Sequence, residues 1–203
     1  MNLVGNSGCK LFLKDGIVTK QSPNSKYNKR LESSFRKMRI ANSKHYNVPD
    51  SSYEVVDGIG TLRMKHIEGK SAVDFLLESP YVNGCWLISK ILEILDEEKK
   101  KAEVDYVKKE VFLKKLEDIG RMDVEIERIF GRGMNLPIGY CHGDLTLSNM
   151  IITGSLEHNN ANLWLIDQLD CYVESPIMDV IKLMQDFEYG WSLRYTKNEL
   201  TDG

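Results

Sequence analysis

One stretch constrains this chain more than any other. Cys141-His142-Gly143-Asp144-Leu-Thr-Leu-Ser-Asn149 runs into the apolar segment Met150–Thr153, then a polar turn over 154–161. A second apolar segment, Asn162–Ile166, ends on Asp167, with Asp170 three positions further on. Two short apolar runs separated by a turn predict an antiparallel hairpin. That hairpin brings Asn149 and Asp167 side by side at its open end, although they are 18 positions apart. An amide oxygen beside a carboxylate is a hard oxygen pair suited to Mg2+, which keeps several waters and shares phosphate ligands. Asp144, at the other end of the same loop, is placed to accept a proton from a hydroxyl. A lone His-Gly-Asp, without Asp167, is better explained by a turn whose Asp caps its neighbours. With the Asn, the hairpin and the second Asp in order, the chemical reading is favoured. His142 reads as structural, bonding backbone near Asp167. Asp179 follows the cap and first-turn pair Ser175-Pro176 and also reads as structural. Asp170 is open between a substrate contact, a second metal and a loop role.

The rest of the chain reads as two lobes of an α+β fold. Lys10–Lys14 and Ile17–Lys20 flank Asp15-Gly16, a strong hairpin signal because a type I′ turn needs positive φ at both central residues. Lys29–Asn42 carries Leu31, Phe35, Met38 and Ile40 in a basic background and predicts an amphipathic helix. Tyr53–Val56 and Thr61–His66 flank Asp57-Gly-Ile-Gly60 as a second hairpin. Ser71-Ala-Val-Asp74 is a capping box that opens a helix through Leu77. From there to Phe130 the chain is expected to be mostly helical. Trp86, Leu87, Ile91, Leu92 and Leu95 form one stripe, and Val111, Phe112, Leu116 and Ile119 another. A mainly β lobe over 1–66 therefore precedes a mainly α lobe over 67–203.

Composition narrows the function classes. A chain of 203 residues, 42% of them hydrophobic, buries a sizeable core. It contains no run of about 18 apolar residues, so no membrane span is expected. The first ten residues lack a basic start and an apolar stretch, and the four cysteines show neither zinc nor disulfide-framework spacing. A reduced, cytoplasmic protein is the expectation. Residues 1–70 carry 13 Lys/Arg against 6 Asp/Glu, and residues 141–203 carry 3 against 10. Such an asymmetry suits phosphates in one lobe and cations in the other, while varied surface charge explains it as simply. With a pI of about 5.9 overall, no nucleic-acid partner is expected.

The run His142-Gly-Asp144…Asn149, followed by Ile166-Asp167-Gln-Leu-Asp170, resembles the aminoglycoside phosphotransferase and choline kinase superfamily. That superfamily is the small-molecule branch of the bilobal protein-kinase-like fold. The resemblance implies Asp144 as catalytic base and Asn149 and Asp167 as metal ligands. It also implies a phosphate-covering loop at Gly5-Asn-Ser-Gly8, a phosphate-holding Lys20, and Glu32 on the following helix as the partner of Lys20. Met64–Lys70 would be the hinge that meets the adenine. Strand-end lysines and early-helix glutamates are common for other reasons as well. The implied activity is ATP- and Mg2+-dependent transfer of the γ-phosphate to a hydroxyl of a small molecule, a sugar, amino sugar or amino alcohol. Tyr172, Tyr189, Trp191 and Tyr195 suit the family's cationic acceptors, although packing in a helical core is the favoured reading. Family members commonly continue beyond the point where this chain stops, so an open or partner-completed pocket is expected and a homodimer is worth testing. Two rivals remain. A protein Ser/Thr kinase lacks support, because no Asp-Phe-Gly with a long activation segment occurs. A nucleotide-binding pseudokinase or interaction module is motivated by the thin glycine loop.

Overall fold

The computed structural model describes residues 2–3, 8–44, 46–118, 120, 128 and 132–195. Its first lobe is a five-stranded antiparallel sheet of β1 (Asn2–Leu3), β2 (Lys10–Lys14), β3 (Ile17–Gln21), β4 (Ser51–Val56) and β5 (Ile59–Lys65), in the order β1-β2-β3-β5-β4. Two-residue turns set the register. Asp15-Gly16 has φ of 51° and 73°, and Asp57-Gly58 has 51° and 76°, the pair of positive values that matches strand twist. The second hairpin is thus tighter than expected, with Ile59 and Gly60 already in β5. Helix α1 (Asn28–Ser43) connects β3 to β4 and buries Leu31, Ser34, Lys37, Met38 and Ala41, one face at three- and four-residue spacing.

Residues 66–69 lead into the second lobe. There β6 (Lys70–Ser71) is followed by α2 (Ala72–Glu78), α3 (Pro80–Lys101), β7 (Glu103–Val107), α4 (Lys109–Asp118), β8 (Met134–Ile138), β9 (Met150–Thr153), β10 (Asn162–Leu165) and α5 (Pro176–Tyr189). Ser71 caps α2, its hydroxyl accepting the Asp74 amide at 3.1 Å, as the capping box predicts. β9 and β10 pair with Met150 opposite Leu165 and Thr153 opposite Asn162.

The expectation of helix through to Phe130 is corrected at β7. Glu103-Val-Asp-Tyr-Val107 alternates and carries two β-branched residues, and it pairs antiparallel with β8 across the intervening α4. Of the second apolar stripe, Phe112 is buried in α4, while Ile119 lies outside the described residues. Leu92, placed in the first stripe, is exposed, whereas Leu87 and Ile91 are buried.

The main core joins Ala72, Val73 and Phe75 of α2, Leu87 and Ile91 of α3, the hairpin residues Met150, Ile152, Leu163 and Leu165, and Leu183 of α5. Leu145 and Leu147 enter the same core from the loop before β9. The segment carrying the motif is therefore anchored by apolar burial on both sides of its polar residues. Among the described residues no helix is long and apolar enough to cross a membrane.

Glu98 of α3 is a carboxyl group buried inside this lobe. Burial first, and then the neighbouring Asp179 carboxylate, push its pKa from 4.5 up to about 9. Folding therefore favours its protonated form. The contribution is fully present below pH 4.5 and is lost as the pH rises through about 9. Glu98→Gln, which mimics the neutral form, is expected to raise the melting temperature at pH 8 by a few degrees and to flatten its alkaline decline. Thermal melts from about pH 5 to about pH 9 check this, and an unchanged decline in the variant would count against it.

Candidate active site

The motif loop, residues 139–149, links β8 to β9 with almost no regular structure, so its amides need partners from elsewhere. Helix α5 supplies them. Asp179, fully buried, accepts the His142 amide at 2.5 Å and the Gly143 amide at 2.7 Å. Burial raises the Asp179 pKa; His142 and the two amides act in the opposite direction. Two turns along the same face, Asp186 accepts the Leu147 amide and the Ser192 amide, each at 2.6 Å, and the Ser192 hydroxyl at 2.8 Å. That hydroxyl accepts the Ser148 amide at 2.9 Å. Two carboxylates of one helix thus pin both halves of the loop. Gly143 sits at φ 87°, and a Cβ there would lie 2.0 Å from the Leu169 carbonyl oxygen, so only glycine fits.

His142 joins the loop to the end of the hairpin. Its Nε2 lies 3.0 Å from the Ile166 carbonyl, which can only accept, so Nε2 carries the proton and Nδ1 accepts the Asp144 amide at 3.3 Å. Complete burial depresses its pKa, which suits this neutral tautomer. The structural reading of His142 and Asp179 matches these contacts.

At the open end of the hairpin the Ile166 amide donates to the Asn149 carbonyl at 3.0 Å, one step beyond the Met150–Leu165 pair. Asn149 Nδ2 donates to the Asp144 carbonyl at 2.9 Å and to Asp144 Oδ2 at 3.0 Å. This leaves Asn149 Oδ1 without a hydrogen-bonding partner among the described residues. Asp167 has φ 59°, an uncommon value for a residue with a side chain. Its Oδ1 receives the buried Lys20 ammonium at 2.6 Å, a contact that joins β3 of the first lobe to the end of the hairpin. Lys182 of α5 places Nζ 2.9 Å from Asp144 Oδ1. A cleft of about 370 Å3 is lined by Lys20, Asp144, Asn149, Asp167, Lys182 and Trp191.

Four of the residues singled out in the sequence, Lys20, Asp144, Asn149 and Asp167, therefore share one cleft. Glu32 does not join them: it is paired with Arg36 at 2.6 Å, one turn along α1, and Lys20 has Asp167 as its partner instead. From α1 the cleft is lined by Arg30, Leu31 and Ser34, and the buried Ser34 hydroxyl has no partner among the described residues. Gly8 is exposed, with φ 72°, just before β2, and Gly5 lies outside the described residues. Asp170 accepts the Ser33 hydroxyl. Tyr172 and Tyr189 are exposed rather than packed, a correction to the core reading, and Trp191 carries Arg194 stacked 3.2 Å from its ring centroid. The Tyr195 side chain lies outside the described residues.

Sequence reasoning missed Lys182. The available signal was the spacing Asp179, Lys182, Asp186, three charged residues on one stripe of a mostly apolar helix. The donor set fits Mg2+: Asn149 Oδ1 and the Asp167 carboxylate are hard oxygens, with no thiolate or imidazole offered. It fits a phosphate as well, through the Lys20 and Lys182 ammonium groups.

No family model matches the sequence, and no curated protein matches it. Solved structures do. The chain aligns with aminoglycoside phosphotransferase APH(3'')-Id from Streptomyces rimosus over 96% of its own length and 85% of that chain, at 16% identity and a TM-score of 0.55. It aligns with APH(2'')-IIa, solved as a ternary complex with streptomycin and ATP, over 98% and 77%, at 21% identity and a TM-score of 0.60. ADP-bound APH(2'')-Ib gives 98% and 77%, at 20% identity and 0.55. With its sheet lobe, helical lobe and the cleft between them, the chain has the bilobal, protein-kinase-like fold of the aminoglycoside phosphotransferases.

Proposed function

We propose that this chain is an ATP- and Mg2+-dependent phosphotransferase that moves the γ-phosphate to a hydroxyl of a small molecule, a sugar, amino sugar or amino alcohol. The observation that carries the reading is the convergence of Asp144, Asn149, Asp167 and Lys20 on one cleft from three separate segments of the chain. Residues 1–66 would cover the nucleotide, with the Gly5–Gly8 segment over its phosphates. Residues 67–203 would carry the loop and the hairpin.

Asp144 is the base. Its two oxygens are held by Lys182 and Asn149, and each keeps a lone pair for an incoming hydroxyl proton. Asn149 and Asp167 would hold Mg2+, which would supply charge neutralisation on the phosphates. Lys20 and Lys182 bracket the cleft with two fixed positive charges, aimed where negative charge gathers during transfer. Such preorganised charges act on phosphoryl transfer without covalent participation of the protein.

A second reading, nucleotide binding without turnover, draws on the pairing of Glu32 with Arg36 instead of Lys20. Two variants separate the readings. Asp144→Asn is expected to lower phosphate transfer by about 10²–10⁴-fold while leaving ATP affinity near the wild-type value. Transfer from labelled ATP to a panel of polyols, amino sugars and amino alcohols, alongside calorimetry, reads both quantities. Near-normal transfer in the variant would remove Asp144 as base, and wild-type binding with no transfer to any acceptor would favour the second reading. Asp167→Asn is expected to lose the Mg2+-dependent part of the nucleotide's stabilisation, the whole of which is about 2.7 kcal/mol at a hundredfold excess over Kd. Thermal melts with ATP, with and without Mg2+, read it, and an undiminished Mg2+ effect would remove Asp167 as a ligand.

A further inference from the structure

We propose that Cys141 and Cys171 form an oxidisable pair that closes into a disulfide against the catalytic loop when the protein meets a hydroperoxide. The two residues are 30 positions apart, and the sequence shows no Cys-x-x-Cys, yet their sulfurs lie 3.9 Å apart. Cys141 is fully buried and immediately precedes His142. Cys171 is half-buried, follows Asp170, and lines an open cleft of about 510 Å3 together with Arg36, Lys37 and Glu174. A small oxidant in that cleft reaches Cys171, and the sulfur behind it is Cys141.

Lys37 of α1 completes the cluster. Its ammonium contacts Glu174 Oε2 at 2.7 Å, the Leu169 carbonyl at 2.7 Å and Cys141 Sγ at 3.9 Å. The Cys171 amide donates to Glu174 Oε1 at 2.8 Å. Cys141, Cys171 and Glu174 present three ligand atoms within 4.8 Å of one another, an arrangement otherwise suited to a metal ion. Here Lys37 already holds positive charge against two of the three, so the group works as a thiol pair beside a cation. The Cys141 thiol donates toward Cys171 Sγ, which lowers the Cys171 pKa; Lys37 lowers it further, against the effect of burial. The same donation, together with burial, raises the Cys141 pKa. Cys171 is thus the nucleophile and Cys141 the resolving thiol.

The chemistry balances with one hydroperoxide. The Cys171 thiolate attacks a peroxide oxygen, the O–O bond breaks, and the departing hydroxide takes up the thiol proton as water, leaving a sulfenic acid. Cys141 sulfur then attacks Cys171 sulfur, the S–O bond breaks, and the hydroxyl leaves as a second water with the Cys141 proton. Two thiols and one hydrogen peroxide give one disulfide and two waters. A disulfide holds its sulfurs about 2.05 Å apart, so the two sulfurs must approach from their 3.9 Å separation. Cys171 Sγ already touches the Gly143 carbonyl at 3.7 Å, and the Leu169 amide donates to the His142 carbonyl at 2.9 Å. Through these contacts closure acts on the loop that bears Asp144.

The full chain, titrated with hydrogen peroxide, alkylated and mapped by mass spectrometry, tests this without reference to any reaction the protein performs. The expected product is about 2 Da lighter, carries a Cys141–Cys171 cross-linked peptide, and returns to two free thiols with dithiothreitol. Exposed Cys85 serves as the internal control and stays alkylatable at the peroxide dose that closes the pair. Cys171→Ser and, separately, Cys141→Ala are each expected to abolish the cross-link. Hydrogen exchange over residues 141–149 is expected to differ between the reduced and cross-linked forms. Cys171 oxidising to sulfinic acid while Cys141 remains alkylatable would overturn the pair. Cross-linking with unchanged exchange over the loop would overturn its coupling to Asp144.

Discussion

A buried carboxylate with two backbone amides in its grip is the contact on which this architecture turns. The loop from Gly139 to Asn149 has too little secondary structure to satisfy its own amides, and an orphaned buried amide costs roughly 1–3 kcal/mol. Asp179 removes that cost twice, at His142 and Gly143, and Asp186 does so again at Leu147. Burying a carboxylate is itself costly unless it is hydrogen-bonded on all sides. Helix and loop therefore stabilise each other, and neither arrangement is favourable alone. The positions of Asp144 and Asn149 follow from that mutual dependence, because Asp144 lies between the two anchors and Asn149 directly follows the Ser148 amide held through Ser192.

The cleft itself is built from ammonium–carboxylate pairs. Lys20 holds Asp167 and Lys182 holds Asp144, so two positive and two negative charges cancel locally. An ammonium has three donors and uses one on its carboxylate, which leaves donors to meet an incoming phosphate oxygen. The pairs thereby set the orientation of both carboxylates in advance and keep two cations where an anionic ligand enters. Lys182 achieves this from α5, the helix that also pins the loop, so one element fixes both the geometry and the charge of the site.

What the sequence disclosed, and what it hid, divides along local against long-range interactions. The Asn149–Asp167 hairpin was legible because its strands are short, apolar and separated by a polar turn, and its pairing is local. The Asp15-Gly16 turn was legible because it calls for a specific backbone conformation. The β7–β8 pairing was not, since Glu103–Val107 and Met134–Ile138 are separated by α4 and a further segment. Lys182 was hidden for the same reason: a lysine in a helix announces nothing until the helix meets a loop nearly forty residues earlier in the chain. Glu32 shows the converse. Its position early in α1 suited a partner for Lys20, but Arg36 lies one turn away, and a local ion pair needs no tertiary contact to form.

That substitution of partners has a consequence for how the cleft responds to ligands. Where a helix carboxylate holds the strand lysine, the lysine keeps its place whatever happens at the hairpin. Here α1 brings the small hydroxyl of Ser34 to the cleft, and Lys20 is steadied by Asp167. A cation that takes the Asp167 carboxylate competes directly with the Lys20 ammonium, and an anion that takes Lys20 frees Asp167. Occupancy by one therefore favours entry of the other, a positive linkage between cation and anion binding that needs no change of fold. The uncommon φ of Asp167 holds the carboxylate at that point of competition, where strain in the backbone accompanies the site's ability to exchange partners.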